Sequence, residues 1–194
     1  MTITDDVRTD QRLLNLAGFK AGAVDGVVGA KTRAAYERWR EAESAMGEVD
    51  ERSVRNIRTL LPQVQVVVRD WLLEQAYPAA KELGYVVKVI CGTRSWKEQE
   101  ELYAKGRTAP GPRVTNAKAG SSWHNYGVAW DVGLFTASGG YVTDGKVYER
   151  FGKLAGLPEG CEWGGSWKSF KDFPHYQWVQ VYGSLARLKA KSKG

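Results

Sequence analysis

The segment from residue 121 to residue 131 reads SSWHNYGVAWD, and its His124 is one of only two histidines in a chain of 194 residues. The other, His175, lies in segment 172–177, which reads DFPHYQ. A hydrolytic zinc ion binds about three histidine or carboxylate ligands and keeps one position open for water. The two segments together supply such a set and predict a zinc site formed by His124, Asp131 and His175.

The spacing between His124 and Asp131 requires a bend in the chain. The two residues are seven positions apart, which places their side chains on opposite faces of a strand or about 10 Å apart along a helix. Gly127 allows the bend. Beyond it, apolar residues alternate from Val128 to Leu134 and predict a half-buried strand with Asp131 on the face opposite the apolar row.

The second segment is also expected to be extended. Pro174 prevents a continuous helix, and the alternation that follows places His175 and Gln177 on the same face of a strand. Asp172 lies one tight turn upstream of this strand. Both histidines are therefore predicted to point from strands or strand ends toward a shared centre.

Asp172 is the candidate for proton transfer. A carboxylate beside a hydrolytic zinc site can take a proton from the attacking water and pass it to the leaving amine. The reverse assignment, with Asp172 as ligand and Asp131 as base, gives the same number of ligands, so spacing alone leaves both open. Glu162 is a rival base without a histidine at matching spacing.

The residues of these segments resemble the zinc peptidoglycan peptidases, a family that includes D-Ala-D-Ala carboxypeptidases and L-alanyl-D-glutamate endopeptidases. The resemblance spans about residues 61–181 and rests first on Ser122, His124, Gly127, Ala129 and Asp131, followed downstream by an acid three residues before a histidine. Two further segments match: GTRSWKEQEELYAKG at 92–106 and WGGSWKSFKD at 163–172. The last is more typical of the endopeptidase branch, many members of which are phage endolysins.

The resemblance implies a role for each residue of the site. His124, Asp131 and His175 would be the ligands of Zn²⁺. Asp172, which is glutamate in some relatives, would be the catalytic base.

It also implies three residues that face the substrate. Arg94 would stabilise the developing oxyanion or bind a substrate carboxylate. Gln99 and Ser122 would make further substrate contacts.

The N-terminal part of the chain has a different pattern. Segment 21–39, AGAVDGVVGAKTRAAYERW, carries a turn signal followed by one apolar helical face, and GEVDERSVRNIRTL at 47–60 repeats the pattern weakly. Residues 8–61 resemble the three-helix peptidoglycan-binding domain of wall hydrolases. The residues that carry this resemblance are Asp25, Gly26, Gly29, Thr32 and Ala35.

We therefore expect two domains. Residues 1–61 are predicted to form a small all-α three-helix peptidoglycan-binding domain, and residues 62–194 an α+β zinc peptidase with a small, mainly antiparallel sheet and flanking helices. A long helix is expected from Val64 to Leu83, kinked or ended at Pro78. Residues 157–165 are expected to be a loop.

The net charge of +6 lies mostly in the C-terminal tail, because residues 184–194 carry four basic groups and no acidic group. Such a tail could attract an anionic bacterial envelope. No nucleic-acid motif or basic face with interleaved aromatics is present, so nucleic acid is not an expected partner. Cys91 and Cys161 are expected to be free thiols, and the protein is expected to be a monomer.

The sequence favours a phage endolysin that cleaves the L-alanyl-D-glutamate bond of the stem peptide. D-Ala-D-Ala carboxypeptidase activity and a non-catalytic wall-binding protein are the alternatives. The N-terminus has acids where a signal peptide needs a basic and then an apolar stretch, and no apolar run reaches the roughly 18 residues of a membrane span. We therefore expect accumulation in the host cytoplasm before release to the wall.

Overall fold

A computed structural model describes residues 2–193. Its eight α-helices and four strands follow one another along the described chain in this order: α1 (Val7–Leu16), α2 (Ala30–Ala42), α3 (Glu51–Ile57), α4 (Pro62–Trp71), α5 (Tyr77–Glu82), β1 (Val86–Cys91), α6 (Trp96–Ala104), β2 (Ala129–Phe135), α7 (Gly145–Ala155), β3 (Cys161–Trp163), β4 (His175–Trp178) and α8 (Leu185–Lys191). Short 3₁₀ turns occupy Trp123–Tyr126 and Gly164–Ser166. The predicted α+β class is confirmed.

The four strands form one antiparallel sheet in the order β1-β2-β4-β3. The register of β2 against β4 places Asp131 directly opposite His175. Directly opposed residues of an antiparallel pair point to the same face of the sheet. Two predicted ligands that are far apart in sequence are thereby brought side by side by strand pairing alone.

The predicted long helix is present from residue 62 to residue 82, and it neither ends nor breaks at Pro78. Leu72–Ala76 form a π-helical turn between α4 and α5. Proline lacks the N–H that an α-helix needs and clashes with the preceding turn, and a wider π turn is a known way to absorb such a defect. The helix therefore continues past Pro78 instead of stopping there.

One face of the sheet packs against this helix and α7 through aromatic side chains. The ring of Trp71 lies 4.7 Å from that of Tyr176 and 6.2 Å from that of Trp130, centroid to centroid. Its indole Nε1 donates a hydrogen bond of 3.1 Å to the carbonyl of Ala155 at the end of α7. The opposite face carries Asp131 and His175, so the core fixes the sheet on which the site is built.

The N-terminal helices contact the sheet directly. Ser53 Oγ in α3 accepts a hydrogen bond of 2.8 Å from the Val89 amide, and Asn56 Nδ2 donates one of 2.9 Å to the Val89 carbonyl. The Leu61 amide donates to the carbonyl of Gly127 at 3.0 Å. Residues 2–61 therefore share one core with the sheet, and the predicted domain boundary between residues 61 and 62 stays a prediction about independent folding.

One strand differs from the expectation. Strand β3 lies within residues 157–165, which were expected to be a loop; its three residues are too few for an alternating pattern to be visible in the sequence. Cys91 and Cys161 are free thiols, as expected. Between residues 2 and 193, no helix has the length and apolar character needed to cross a membrane.

Candidate metal centre and substrate cleft

His124 is presented by a bend in the chain, as predicted. It lies in the 3₁₀ turn Trp123–Tyr126, which ends at Gly127 with a φ of 68°. This left-handed conformation suits glycine, and an added Cβ there would lie 3.1 Å from the Leu61 amide nitrogen. Nδ1 of His124 lies 2.8 Å from the Gly92 carbonyl oxygen, so this nitrogen carries the hydrogen and Nε2 is left with a lone pair.

Nε2 of His124 and two further atoms form a nearly equilateral triangle. It lies 3.2 Å from Asp131 Oδ1 and 3.2 Å from His175 Nδ1, and His175 Nδ1 lies 3.1 Å from the same carboxylate oxygen. Three ligands of a tetrahedral zinc ion at about 2.0–2.1 Å from the metal are separated by roughly 3.3 Å. The described residues thus bring the three predicted ligands together at the spacing that zinc requires.

The second histidine is oriented by a chain of polar side chains that runs from buried Gln177 to exposed Glu162. His175 Nε2 lies 3.0 Å from Gln177 Oε1, and Gln177 Nε2 donates a hydrogen bond of 3.0 Å to Glu162 Oε2. The amide oxygen can only accept, so His175 carries its hydrogen on Nε2 and leaves Nδ1 free to bind a metal. Such partners fix the tautomer and ring orientation of histidine ligands. Glu162, the rival base, is engaged in this chain instead.

The electrostatics of the three residues favour a cation at their centre. Burial works against a charged His124, but its interactions with Asp131 and Cys91 outweigh burial and raise the pKa of His124 to about 10. Burial alone would raise the pKa of Asp131, but its interactions with both histidines lower that pKa below the ordinary value. Without a metal, a proton on His124 would compensate the carboxylate, and a bound cation would displace it.

Cys91 is close to the site, which the sequence did not predict. Its Sγ lies 3.8 Å from His124 Nδ1 and 3.5 Å from a guanidinium nitrogen of Arg94. Cys91, His124 and Asp131 offer potential ligand atoms within 4.8 Å of one another. Because His124 Nδ1 is committed to the Gly92 carbonyl, the tighter set with His175 fits zinc better. The position of Cys91 at the end of β1, three residues before Arg94, was the available signal.

Arg94 lies beside the triangle and is held there by Gln99. One guanidinium nitrogen lies 3.7 Å from Asp131 Oδ2, and another donates a hydrogen bond of 3.0 Å to Gln99 Oε1. Gln99 is fully buried, and its Nε2 donates to the Ala117 carbonyl at 2.7 Å. Gln99 therefore lies behind Arg94 and is not among the residues that line the cleft. Its expected contact with the substrate stays a prediction.

Asp172 lines the same cleft as the three candidate ligands and Arg94, and this cleft has a volume of about 500 Å³. Burial and the nearby charge of Asp131 raise the pKa of Asp172. The backbone around it is closely packed, since a Cβ on Gly164 would lie 2.3 Å from the Asp172 carbonyl oxygen. No hydrogen bond joins the Asp172 carboxylate to another side chain among the described residues, so it is available for chemistry.

The cleft walls come from two loops. Ser122 and Trp123 line one side together with residues 113–117, and Trp167 lines another. Ser122 thus lies in the cleft, where it was expected to contact the substrate. Trp130, Trp163 and Trp178, which are near the site in sequence, are buried in the core.

The candidate metal site thus lies on a small antiparallel sheet. Residues 115–178 match a family model described as D-alanyl-D-alanine carboxypeptidase. This segment contains all three candidate ligands and Asp172.

Two individual proteins are similar over longer stretches. The peptidoglycan L-alanyl-D-glutamate endopeptidase CwlK of Bacillus subtilis is 41% identical over 112 residues, which cover 52% of this chain and 65% of CwlK. The match thus spans less than two thirds of that relative. The crystal structure of the L-Ala D-Glu endopeptidase ChiX of Serratia marcescens aligns with 69% of this chain and 92% of its own, at 26% identity and a TM-score of 0.47.

Proposed function

We propose that this protein is a zinc-dependent peptidase that hydrolyses the L-alanyl-D-glutamate bond of peptidoglycan stem peptides. One observation carries the proposal: Nε2 of His124, Oδ1 of Asp131 and Nδ1 of His175 lie 3.1–3.2 Å from one another at a cleft that Asp172 and Arg94 also line. The similarity to CwlK supports the choice of bond.

The mechanism assigns separate tasks to the residues of the cleft. Zinc, when bound, supplies Lewis acidity and an activated water molecule. Asp172 takes the proton of the attacking water and passes it to the nitrogen of the leaving amine, so that the C–N bond breaks with a neutral amine as product. Arg94, fixed by Gln99, donates hydrogen bonds to the oxyanion that develops on the scissile carbonyl.

The ligand assignment leaves Asp172 as the base and not Asp131. Asp131 Oδ1 contacts both histidines, whereas Asp172 makes no such contact among the described residues. A carboxylate that is already shared between two imidazoles is poorly placed to move a proton, because doing so would remove it from the ligand set. This supports the first of the two assignments that spacing left open.

Metal analysis and product analysis together test the proposal. The purified protein should contain one zinc ion and release whole stem peptides from muramyl-L-alanine, as detected by mass spectrometry of digested peptidoglycan. Asp172→Ala should lower the rate by about 10²–10⁴-fold while zinc remains bound. Asp5→Ala, at an exposed position outside the cleft, is the matched control and should retain activity.

The same digest distinguishes the alternatives. The matched family is described as D-alanyl-D-alanine carboxypeptidase, and loss of only the terminal D-alanine would favour that activity. Lysis of wall suspensions that survives both a chelator and Asp172→Ala would instead indicate a non-catalytic wall-binding protein.

The endolysin role and wall binding by residues 1–61 are further parts of this proposal. The endolysin role is supported by the resemblance of segment 163–172, and wall binding by the pattern of α2. Expression in a bacterial host should cause lysis only when the cytoplasmic membrane is also permeabilised. Lysis without permeabilisation, or none with it, would contradict the endolysin role.

A further inference from the structure

A second concave site shares no residue with the peptidase cleft. It is lined by basic residues from both ends of the sequence. This groove has a volume of about 780 Å³. Its floor includes Phe19 and Ala34, and no acidic residue lines it. Five cations surround it: Lys20, Lys31, Arg38, Lys191 and Lys193. We call it the basic groove.

The groove lies where the two ends of the chain pack together. Tyr182, just before α8, donates a hydrogen bond of 3.1 Å from its hydroxyl to the Leu16 carbonyl at the end of α1. Leu188 of α8 is fully buried. The tail lysines Lys191 and Lys193 are thereby fixed opposite the basic residues of the N-terminal helices, instead of forming a solvated end.

The cations of the groove are not neutralised within the described chain. All five side chains are exposed, and none takes part in the ion pairs found between residues 2 and 193. Arg38 donates one hydrogen bond, of 3.2 Å, to the Phe19 carbonyl. Unpaired like charges around one concavity raise the local positive potential and favour binding of an anion.

The backbone at the groove is also unusual. Lys20 has a φ of 54°, and it is the one non-glycine residue with positive φ in the described part of the chain. Such a conformation is uncommon for a residue with a Cβ, and backbone strain of this kind is concentrated at functional sites.

We propose that the basic groove binds a single chain of a phosphate-bearing polymer of the bacterial wall. A groove between helices admits one chain, whereas a planar membrane would reach only its rim. Lysine ammonium groups act as point charges toward phosphate, and a polymer with repeated phosphates matches five unpaired cations better than the sparsely charged stem peptide. Only the choice of a wall polymer rests on the proposed function.

Binding of linear polyphosphate of uniform length, measured by fluorescence anisotropy at physiological salt, tests the groove. The full chain should bind, and Lys31→Gln/Lys191→Gln/Lys193→Gln should weaken binding by roughly a hundredfold, about fivefold per cation removed at an anionic surface. A change of less than tenfold would overturn the proposal.

The control variant Lys81→Gln/Lys97→Gln/Lys146→Gln removes the same charge from exposed positions outside the groove. It should change polyphosphate affinity by less than about fivefold, because exposed charges more than about 8 Å away are largely screened at this salt. Equal weakening by both triple variants would show that net charge, not the groove, binds the anion. Circular dichroism should show both variants folded.

Binding to vesicles distinguishes a membrane from a polymer as the partner of the basic groove. The full chain should bind vesicles of phosphatidylglycerol and phosphatidylcholine no more tightly, per phosphate, than it binds polyphosphate. The vesicle affinity should not change when Lys31 is replaced. Vesicle binding that depends on the lysines of the basic groove, without any binding of polyphosphate, would refute the proposal that the groove binds a polymer. Hydrolysis of soluble muropeptides should be unchanged in both triple variants, so that failure of this proposal and failure of the peptidase proposal are distinguishable.

Discussion

Replacement of Gln177 by leucine should weaken zinc binding although Gln177 is not itself a ligand. The side chain is 5% exposed and accepts a hydrogen bond of 3.0 Å from His175 Nε2. Leucine has a similar size but no acceptor, so a buried N–H loses its partner at a cost of about 1–3 kcal/mol. Loss of a partner that orients a ligand lowers metal affinity by about 10–100-fold. This range of affinity agrees with the range of free energy, because about 1.4 kcal/mol corresponds to a tenfold change.

The change also allows His175 to adopt its other tautomer. With no acceptor at Nε2, the imidazole can place its hydrogen on Nδ1, the atom that faces Asp131 at 3.1 Å. That tautomer has no lone pair available for the metal. The loss should therefore appear as weaker zinc binding and not only as lower stability of the fold.

Competition with a fluorescent zinc chelator measures this effect, and the chain offers a matched control. Gln177→Glu alone places a second carboxylate opposite Glu162, at the position of a 3.0 Å hydrogen bond, and should also weaken binding. The double variant Gln177→Glu/Glu162→Gln restores a carboxylate–amide pair and an acceptor for His175, and should recover most of the affinity. If Gln177→Leu binds zinc within twofold of the parent, orientation of His175 by Gln177 is refuted.

Three further predictions concern proton transfer, pH and packing. Asp172→Asn should keep one zinc ion per chain but lower kcat on muropeptides by about 10²–10⁴-fold; loss of the metal would instead make Asp172 a ligand. Zinc affinity should rise about tenfold per pH unit from about pH 7 to pH 9, because a proton on His124, whose pKa is raised to about 10, competes with the ion more strongly as the pH falls. Calorimetry in two buffers should show that zinc binding releases this proton. A zinc affinity that does not depend on pH would contradict the site. Leu61→Ala, at a fully buried position, should lower the free energy of unfolding by about 2–5 kcal/mol in urea titrations, and a change below 1 kcal/mol would contradict its place in a shared core.

The sequence was informative about local structure near the site because the necessary signals are local. A glycine between His124 and Asp131 indicated the bend, and Pro174 indicated an extended segment before His175. Alternation of apolar residues then placed Asp131 on the less buried face. All of these follow from steric and burial rules that act over a few residues.

Other features were beyond local rules. The expected contact of Gln99 with substrate stays a prediction, and its burial behind Arg94 could not be read from the sequence. Cys91 was expected only to be a free thiol, and its Sγ lies 3.8 Å from His124 Nδ1. In each case a long-range contact determines what the side chain faces, and no periodic pattern encodes that contact.

The domain organisation shows the same limit. The helical pattern of the N-terminal region was visible, and helices α1 to α3 are present. The hydrogen bonds from α3 to β1 and from Leu61 to Gly127 could not be anticipated, since residues separated by more than thirty positions meet there. Whether residues 1–61 fold alone remains a prediction.

By itself, the sequence determined the residue types available for a metal site and the secondary structure that presents them, because hydrogen-bonding capacity, backbone freedom and apolar periodicity are properties of short segments. Only the tertiary structure decided which nitrogen of each histidine faces the centre, what orients Arg94, and that the basic tail lies against the N-terminal helices. These depend on strand register and on the packing of distant elements around one core, where a shift of a single residue would turn every side chain of a strand to the other face.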